Sequence, residues 1–178
     1  ELHSTDTAPP AAADLLNNAK KKYGFVPNIL GVMAEAPPIL KAYMTLAGIF
    51  DETSFTETER QVVLLVTSLS NECEYCMAAH TTIAGMQNVS NDIVEAIRNS
   101  HAIKDAKLEA LRQLAQEIAE TRGNPSESTL KSFLDAGYSQ GQILEVILGV
   151  GMKTLSNYTN HIAQTPLDEA FRPAEWHA

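Results

Sequence analysis

One run constrains the fold more than any other. It carries Val62, Val63, Leu65, Val66 and Leu69. On a helix these apolar side chains nearly encircle the axis, so such a helix must be surrounded by others. Thr56-Glu-Thr-Glu59, just before it, has the form of a capping box. Three of the run's residues are β-branched valines, and a short buried strand is the competing reading. The cap, and a length beyond that of an ordinary strand, favour helix.

The rest of the chain reads the same way. Ala11 to Lys22 fits a short helix stopped at Gly24, with Phe25-Val-Pro-Asn28 as a turn and Ile29 to Met33 as a resumed apolar stretch. Pro37 and Pro38 suit a helix start, and Leu40, Tyr43, Met44, Ala47 and Phe50 recur at three and four. Further helices are predicted from about Glu72 to Met86, from Ser90 to Asn99, from Asp105 to Arg122, from Ser126 to Gly137 and from Ser139 to Gln164. Gly149 and Gly151 weaken the last of these unless they permit close contact or a bend. No convincing strand is present, so the expected fold class is all-α. The expectation is one helical domain over 1–178: a first half at about 11–99, a second at about 105–164, and a tail at 165–178 in which Trp176 docks on a body or a partner.

A chain of 178 residues, 44% of them hydrophobic, can bury one sizeable core. A formal charge of −9 argues against nucleic acid or an anionic membrane as partner. No apolar run reaches the length of a membrane span, the polar first residues do not resemble a secretion signal, and a cytoplasmic location is expected. Two cysteines are too few for a disulfide scaffold and point instead to redox or metal chemistry.

Both cysteines fall in Asn71-Glu-Cys-Glu-Tyr-Cys-Met-Ala-Ala-His80. Cys73 and Cys76 can close a small disulfide ring, and helical spacing puts His80 on their face, one turn beyond Cys76. Asn71 as N-cap and Glu74 at N3 would form a capping box and place Cys73 at N2, where free backbone N–H groups lower a thiol's pKa. Glu72 and Glu74 oppose that effect. The helix end therefore nominates Cys73 as the attacking thiol and proximity to His80 nominates Cys76; the residues leave the choice open. In the redox reading a thiolate attacks a hydroperoxide, the resulting sulfenic acid condenses with the other cysteine, and an external dithiol reopens the disulfide.

Other readings compete. The cysteines could be inert packing residues. Zinc would have three ligands diverging from one helix face and would lack a fourth, so no metal or other cofactor is expected. Glu59 serves the Thr56 cap but could reach the thiol face, and Gln61 could orient a histidine or a water. His161 clusters with Asn157 and Asn160 on an apolar helix, where they could line a pocket. A shift of 81 residues places His80 on His161, Gln61 on Gln142 and Thr58 on Ser139, a faint sign of two related helical hairpins.

The chain resembles the carboxymuconolactone decarboxylase/AhpD-like alkylhydroperoxidase superfamily, in particular its peroxidase-related members. The resemblance lies in Glu59-Arg-Gln-Val-Val and Asn71 to His80, with Gly24-Phe-Val-Pro-Asn28, Ala36-Pro-Pro38, Asn160-His161 and Thr165-Pro-Leu-Asp168 around them. It implies an all-helical homo-oligomer that reduces hydroperoxides with an external dithiol. It also implies Cys76 as the attacking thiol, Cys73 as the resolving thiol and His80 in a proton relay. The family's relay glutamate, twelve residues before the first cysteine, is Gln61 here, and Glu59 lies nearby but out of register. The alternatives kept are an oligomeric redox sensor or structural protein without turnover, and a decarboxylase-like enzyme.

Overall fold

The computed structural model describes all of residues 1–178. Nine α-helices follow one another: α1 (Pro10–Tyr23), α2 (Asn28–Met33), α3 (Pro37–Asp51), α4 (Glu57–Ser70), α5 (Glu74–Met86), α6 (Asn91–Arg98), α7 (Ala106–Glu120), α8 (Glu127–Asp135) and α9 (Gln140–Ala163). A short 3-10 helix, Glu169–Ala174, ends the chain's regular structure, and there is no strand. No helix is long and apolar enough to cross a membrane.

α4 is the central element. Its Val62, Val63, Leu65 and Val66 are all buried, and α5, α6, α7 and α9 pack around it. Thr56 and Glu59 form the capping box, the hydroxyl accepting from Glu59 N–H and the carboxylate accepting from Thr56 N–H. Ser139 and Gln142 form a second such box at the start of α9. Two apolar clusters result. One surrounds α4 with Phe50, Met77, Leu111, Leu114 and Phe133. The other lies beneath α1 and α2 and contains Tyr75, Phe171 and both cysteines.

Two expectations are corrected. Asn71 does not cap α5; it ends α4. Glu72 N–H reaches Leu69 C=O, and Cys73 N–H reaches Ser68 C=O at 2.9 Å. Glu72 stands at φ 51°, so the residues form a Schellman closure with a left-handed residue that is not glycine. Cys73 itself is the N-cap of α5, and Cys76 falls in the first turn.

The shift of 81 residues does not relate two hairpins. It carries most of α4, the turn and the first part of α5 onto one uninterrupted helix, α9. Ser90 precedes α6 but makes no side-chain cap bond.

Gly149 meets the close-contact condition. A Cβ there would lie 2.7 Å from the Phe50 ring and 2.8 Å from Val63 Cγ1, whereas a Cβ at Gly151 would meet nothing. The glycine lets α9 approach α3 and α4 closely and brings α9's polar face over the thiols.

Candidate active site

Cys73 and Cys76 are free thiols, both almost fully buried. α9 forms the wall opposite them. Its Lys153, Ser156, Asn157 and Asn160 recur at three and four, and all are buried. Asn160 Nδ2 donates to Cys76 Sγ at 3.1 Å and lies 3.7 Å from Cys73 Sγ. Ser156 Oγ lies 4.0 Å from Cys76 Sγ. Asn157 is held from behind, accepting from Asn71 Nδ2 at 2.9 Å.

These neighbours separate the two thiols chemically. Burial alone would push the Cys76 thiol up. The Cys73 hydrogen bond, the Lys153 ammonium and the Asn157 and Asn160 amides outweigh it and hold Cys76 well below the ordinary thiol value. Cys73 moves the other way, because its proton is held in the bond to Cys76 and because it is desolvated. The expected drop in the Cys73 pKa is thus overturned. As the N-cap, Cys73 still receives a favourable contact from the Cys76 backbone N–H, but the retained proton and desolvation outweigh it.

Lys153 is the residue that sequence reasoning missed. It is 2% exposed on an apolar helix. Burial favours the neutral amine, yet Cys76, Tyr43 and Cys73, in that order, more than offset this and raise its pKa. The signal in the sequence was its register: a lone lysine at a position of α9 that continues the buried series from Val146 and Gly149 to Asn157 and Asn160.

His80 is also buried. Its Nδ1 lies 3.0 Å from Gln61 Oε1, while Gln61 Nε2 donates to Gln87 Oε1 at 2.9 Å. Since the Gln61 amide nitrogen is engaged, its oxygen faces His80, Nδ1 carries the hydrogen and Nε2 is left as acceptor. Burial first, and Lys153 second, push the imidazole well below its ordinary value, so it is neutral. Glu59 is not brought to the thiols. Its carboxylate serves Thr56 and lies 3.5 Å from Lys107 Nζ. It makes no hydrogen bond to His80, Gln61 or either cysteine.

A cleft of about 400 Å³ opens on Cys73. Tyr75, Asn160, His161 and Trp176 line it, and Glu72, Glu74 and Glu175 also border it. The tail builds its outer wall. Trp176 Nε1 donates to Arg98 C=O at 3.2 Å, and the Arg98 guanidinium donates to Ala174 and Glu175 carbonyls. Buried Asp168 accepts from Tyr75 Oη at 2.5 Å and from Asn28 N–H, tying the tail to α5 and α2. Three possible metal-ligating groups converge only at Glu1, His3 and Glu35, a set that shares no residue with the thiol site.

The carboxymuconolactone decarboxylase family profile matches residues 37–117, which include α4, α5 and both cysteines. Over that segment the chain is similar to the carboxymuconolactone decarboxylase family. No curated protein matches its sequence.

Among solved structures, an AhpD-core, peroxidase-related protein from Ralstonia eutropha JMP134 superposes with a TM-score of 0.84 at 18% identity, over 96% of this chain and 92% of that one. A peroxidase-related protein from Silicibacter sp. TM1040 superposes with a TM-score of 0.81 at 18% identity, over 96% and 92% of the two chains. A cysteine-to-alanine variant of the debrominase Bmp8, solved in complex with 2,3,4-tribromopyrrole, gives 0.77 at 17% identity, over 93% and 89%. At these identities the likeness establishes the shared AhpD-like fold. Lys153 lies outside the matched family segment, on the helix that closes the site.

Proposed function

We propose that the protein is a thiol-dependent peroxidase that reduces hydroperoxides through a Cys73–Cys76 disulfide cycle. The observation that carries this reading is the setting of the Cys76 sulfur: Asn160 Nδ2 donates to it at 3.1 Å, a second free thiol lies beside it, and the facing helix buries Lys153. The Cys76 thiolate attacks the terminal peroxide oxygen, the O–O bond breaks, and the alcohol leaves with a proton. The Cys73 thiol then condenses with the Cys76 sulfenic acid, releasing water and closing the disulfide. Neutral His80, fixed by Gln61, passes protons through Nε2.

An external dithiol restores the pair. Its thiolate attacks Cys73, the sulfur on the cleft, and expels Cys76, the better leaving group because its thiol is the stronger acid. The acidic cleft disfavours strongly anionic reductants. A homo-oligomer fits the apolar stripe of Leu144, Ile147, Tyr158 and Ile162 exposed along α9.

Turnover of cumene hydroperoxide with a dithiol donor tests the reading. Sustained turnover that is lost in Cys76→Ser supports it. Stoichiometric oxidation without turnover would instead indicate a redox sensor. Thiol-dependent consumption of 2,3,4-tribromopyrrole with no peroxide turnover would indicate dehalogenation.

A further inference from the structure

The cycle needs one more proton than the two cysteines hold. With Cys76 as thiolate and Cys73 as thiol, reduction of ROOH to ROH and water consumes one proton beyond the Cys73 hydrogen. His80 cannot store it, because the buried imidazole is already neutral.

The structure assigns this role to Lys153: we propose that its ammonium is the proton store of the thiol pair, discharged as the disulfide closes and recharged when the disulfide is reduced. Lys153 is enclosed, 2% exposed, on the α9 face that meets the cysteines. The titratable groups facing it are Tyr43 from α3, Cys73 and Cys76 at the start of α5, and His80 further along α5. No carboxylate pairs with it. Its one counter-charge is therefore the thiolate, and disulfide formation removes that charge. A lysine buried without a counter-charge falls from its ordinary value to about 5–6 in documented cases. The ammonium then gives up its proton near neutral pH.

The balance closes without solvent protons. ROOH, the Cys76 thiolate, the Cys73 thiol and the Lys153 ammonium become ROH, water, the disulfide and a neutral amine. The O–O bond and the Cys73 S–H bond break, an S–S bond forms, both sulfurs are oxidised, and the peroxide is reduced. His80 Nε2 can relay the proton between the amine and the departing alkoxide.

The inference rests on the peroxidase reading only for the identity of the oxidant. The test is a proton count during single-turnover oxidation of the reduced full-length chain, in weakly buffered solution near neutral pH with an indicator dye. Disulfides are counted separately by thiol assay, and the thiolate is followed by its ultraviolet absorbance. In the native protein the absorbance should vanish on oxidation with almost no proton taken up. Lys153→Arg, which keeps the charge but cannot release it, should take up about one proton per disulfide. Uptake of about one proton by the native protein, or absence of a thiolate in its reduced form, would overturn the proposal even if the variant failed to fold. Diamide, which also oxidises two thiols with no net proton change, gives the same count if hydroperoxides do not react. A failure of the peroxidase reading is therefore distinct from a failure of the proton store.

Discussion

Asn160 donates its side-chain amide to the Cys76 sulfur at 3.1 Å, linking the C-terminal part of α9 to the first turn of α5. A hydrogen bond to a charged group contributes about 1.5–3 kcal/mol, which for a thiolate corresponds to about 1–2 pH units. Asn160→Ala should therefore raise the Cys76 thiol pKa by about that amount. The pH profile of iodoacetamide alkylation, followed at Cys76 by peptide mapping, measures it. An unchanged profile would remove Asn160 from the account.

Acidification should destabilise the fold through His80. Its folded value lies below the unfolded value of about 6.5, so the unfolded chain takes up the proton first. The stability contributed by the buried neutral imidazole is fully present above about pH 6.5 and is lost as pH falls from there towards the folded value, with a slope of at most about 1.4 kcal/mol per pH unit. In the reduced protein Cys76, held low in the fold, adds a slope of the same sign, so in denaturant titrations between about pH 7 and 5.5 His80→Gln should lower the total slope by up to about 1.4 kcal/mol per pH unit without abolishing it. An equal slope in the variant would contradict the assignment.

Gln61 holds His80 but cannot accept its proton. Gln61→Glu places a carboxylate against Nδ1, raises the imidazole pKa and completes a relay of acid and base. Peroxide turnover should rise about tenfold or more, given the size of typical acid–base contributions. A rate at or below that of the native protein would show that proton relay through His80 does not limit the cycle.

The parts of the fold legible in the sequence are those settled by neighbouring residues. Thr56 with Glu59, and Ser139 with Gln142, each make their cap within four residues, and the encircled run of α4 declares its own burial. Asn71-x-x-Glu74 has the same form, yet it fails because only three residues separate α4 from α5. The chain uses them to close the first helix, and that competition moves Cys73 from the first turn to the cap. The thiol pair and His80 share one helix and were visible for that reason. Lys153 and Asn160 act on sulfurs about eighty residues away in sequence, so their role depends on how α9 crosses α5. The Glu59 carboxylate was assignable to the cap, but its separation from the thiols needed the three-dimensional course of α4.

The two glycines of α9 should respond in opposite directions. Gly149→Ala forces a methyl group into the Phe50 ring and Val63, and overpacking of this kind costs about 1–3 kcal/mol. Gly151→Ala meets open space and should gain about 0.5–1 kcal/mol from helix propensity alone. Equilibrium denaturation of the two variants beside the native chain measures both, and a stabilising Gly149→Ala would contradict the close crossing of α9 over α4.

The division of labour between the two sulfurs is tested most directly by locating the first oxidation product. One equivalent of hydroperoxide is added to Cys73→Ser and, separately, to Cys76→Ser, with a sulfenic-acid trap present and the labelled peptides read by mass spectrometry. The expected result is rapid labelling of Cys76 in Cys73→Ser and little labelling of Cys73 in Cys76→Ser. Faster labelling of Cys73, or no labelling of Cys76, would contradict the account.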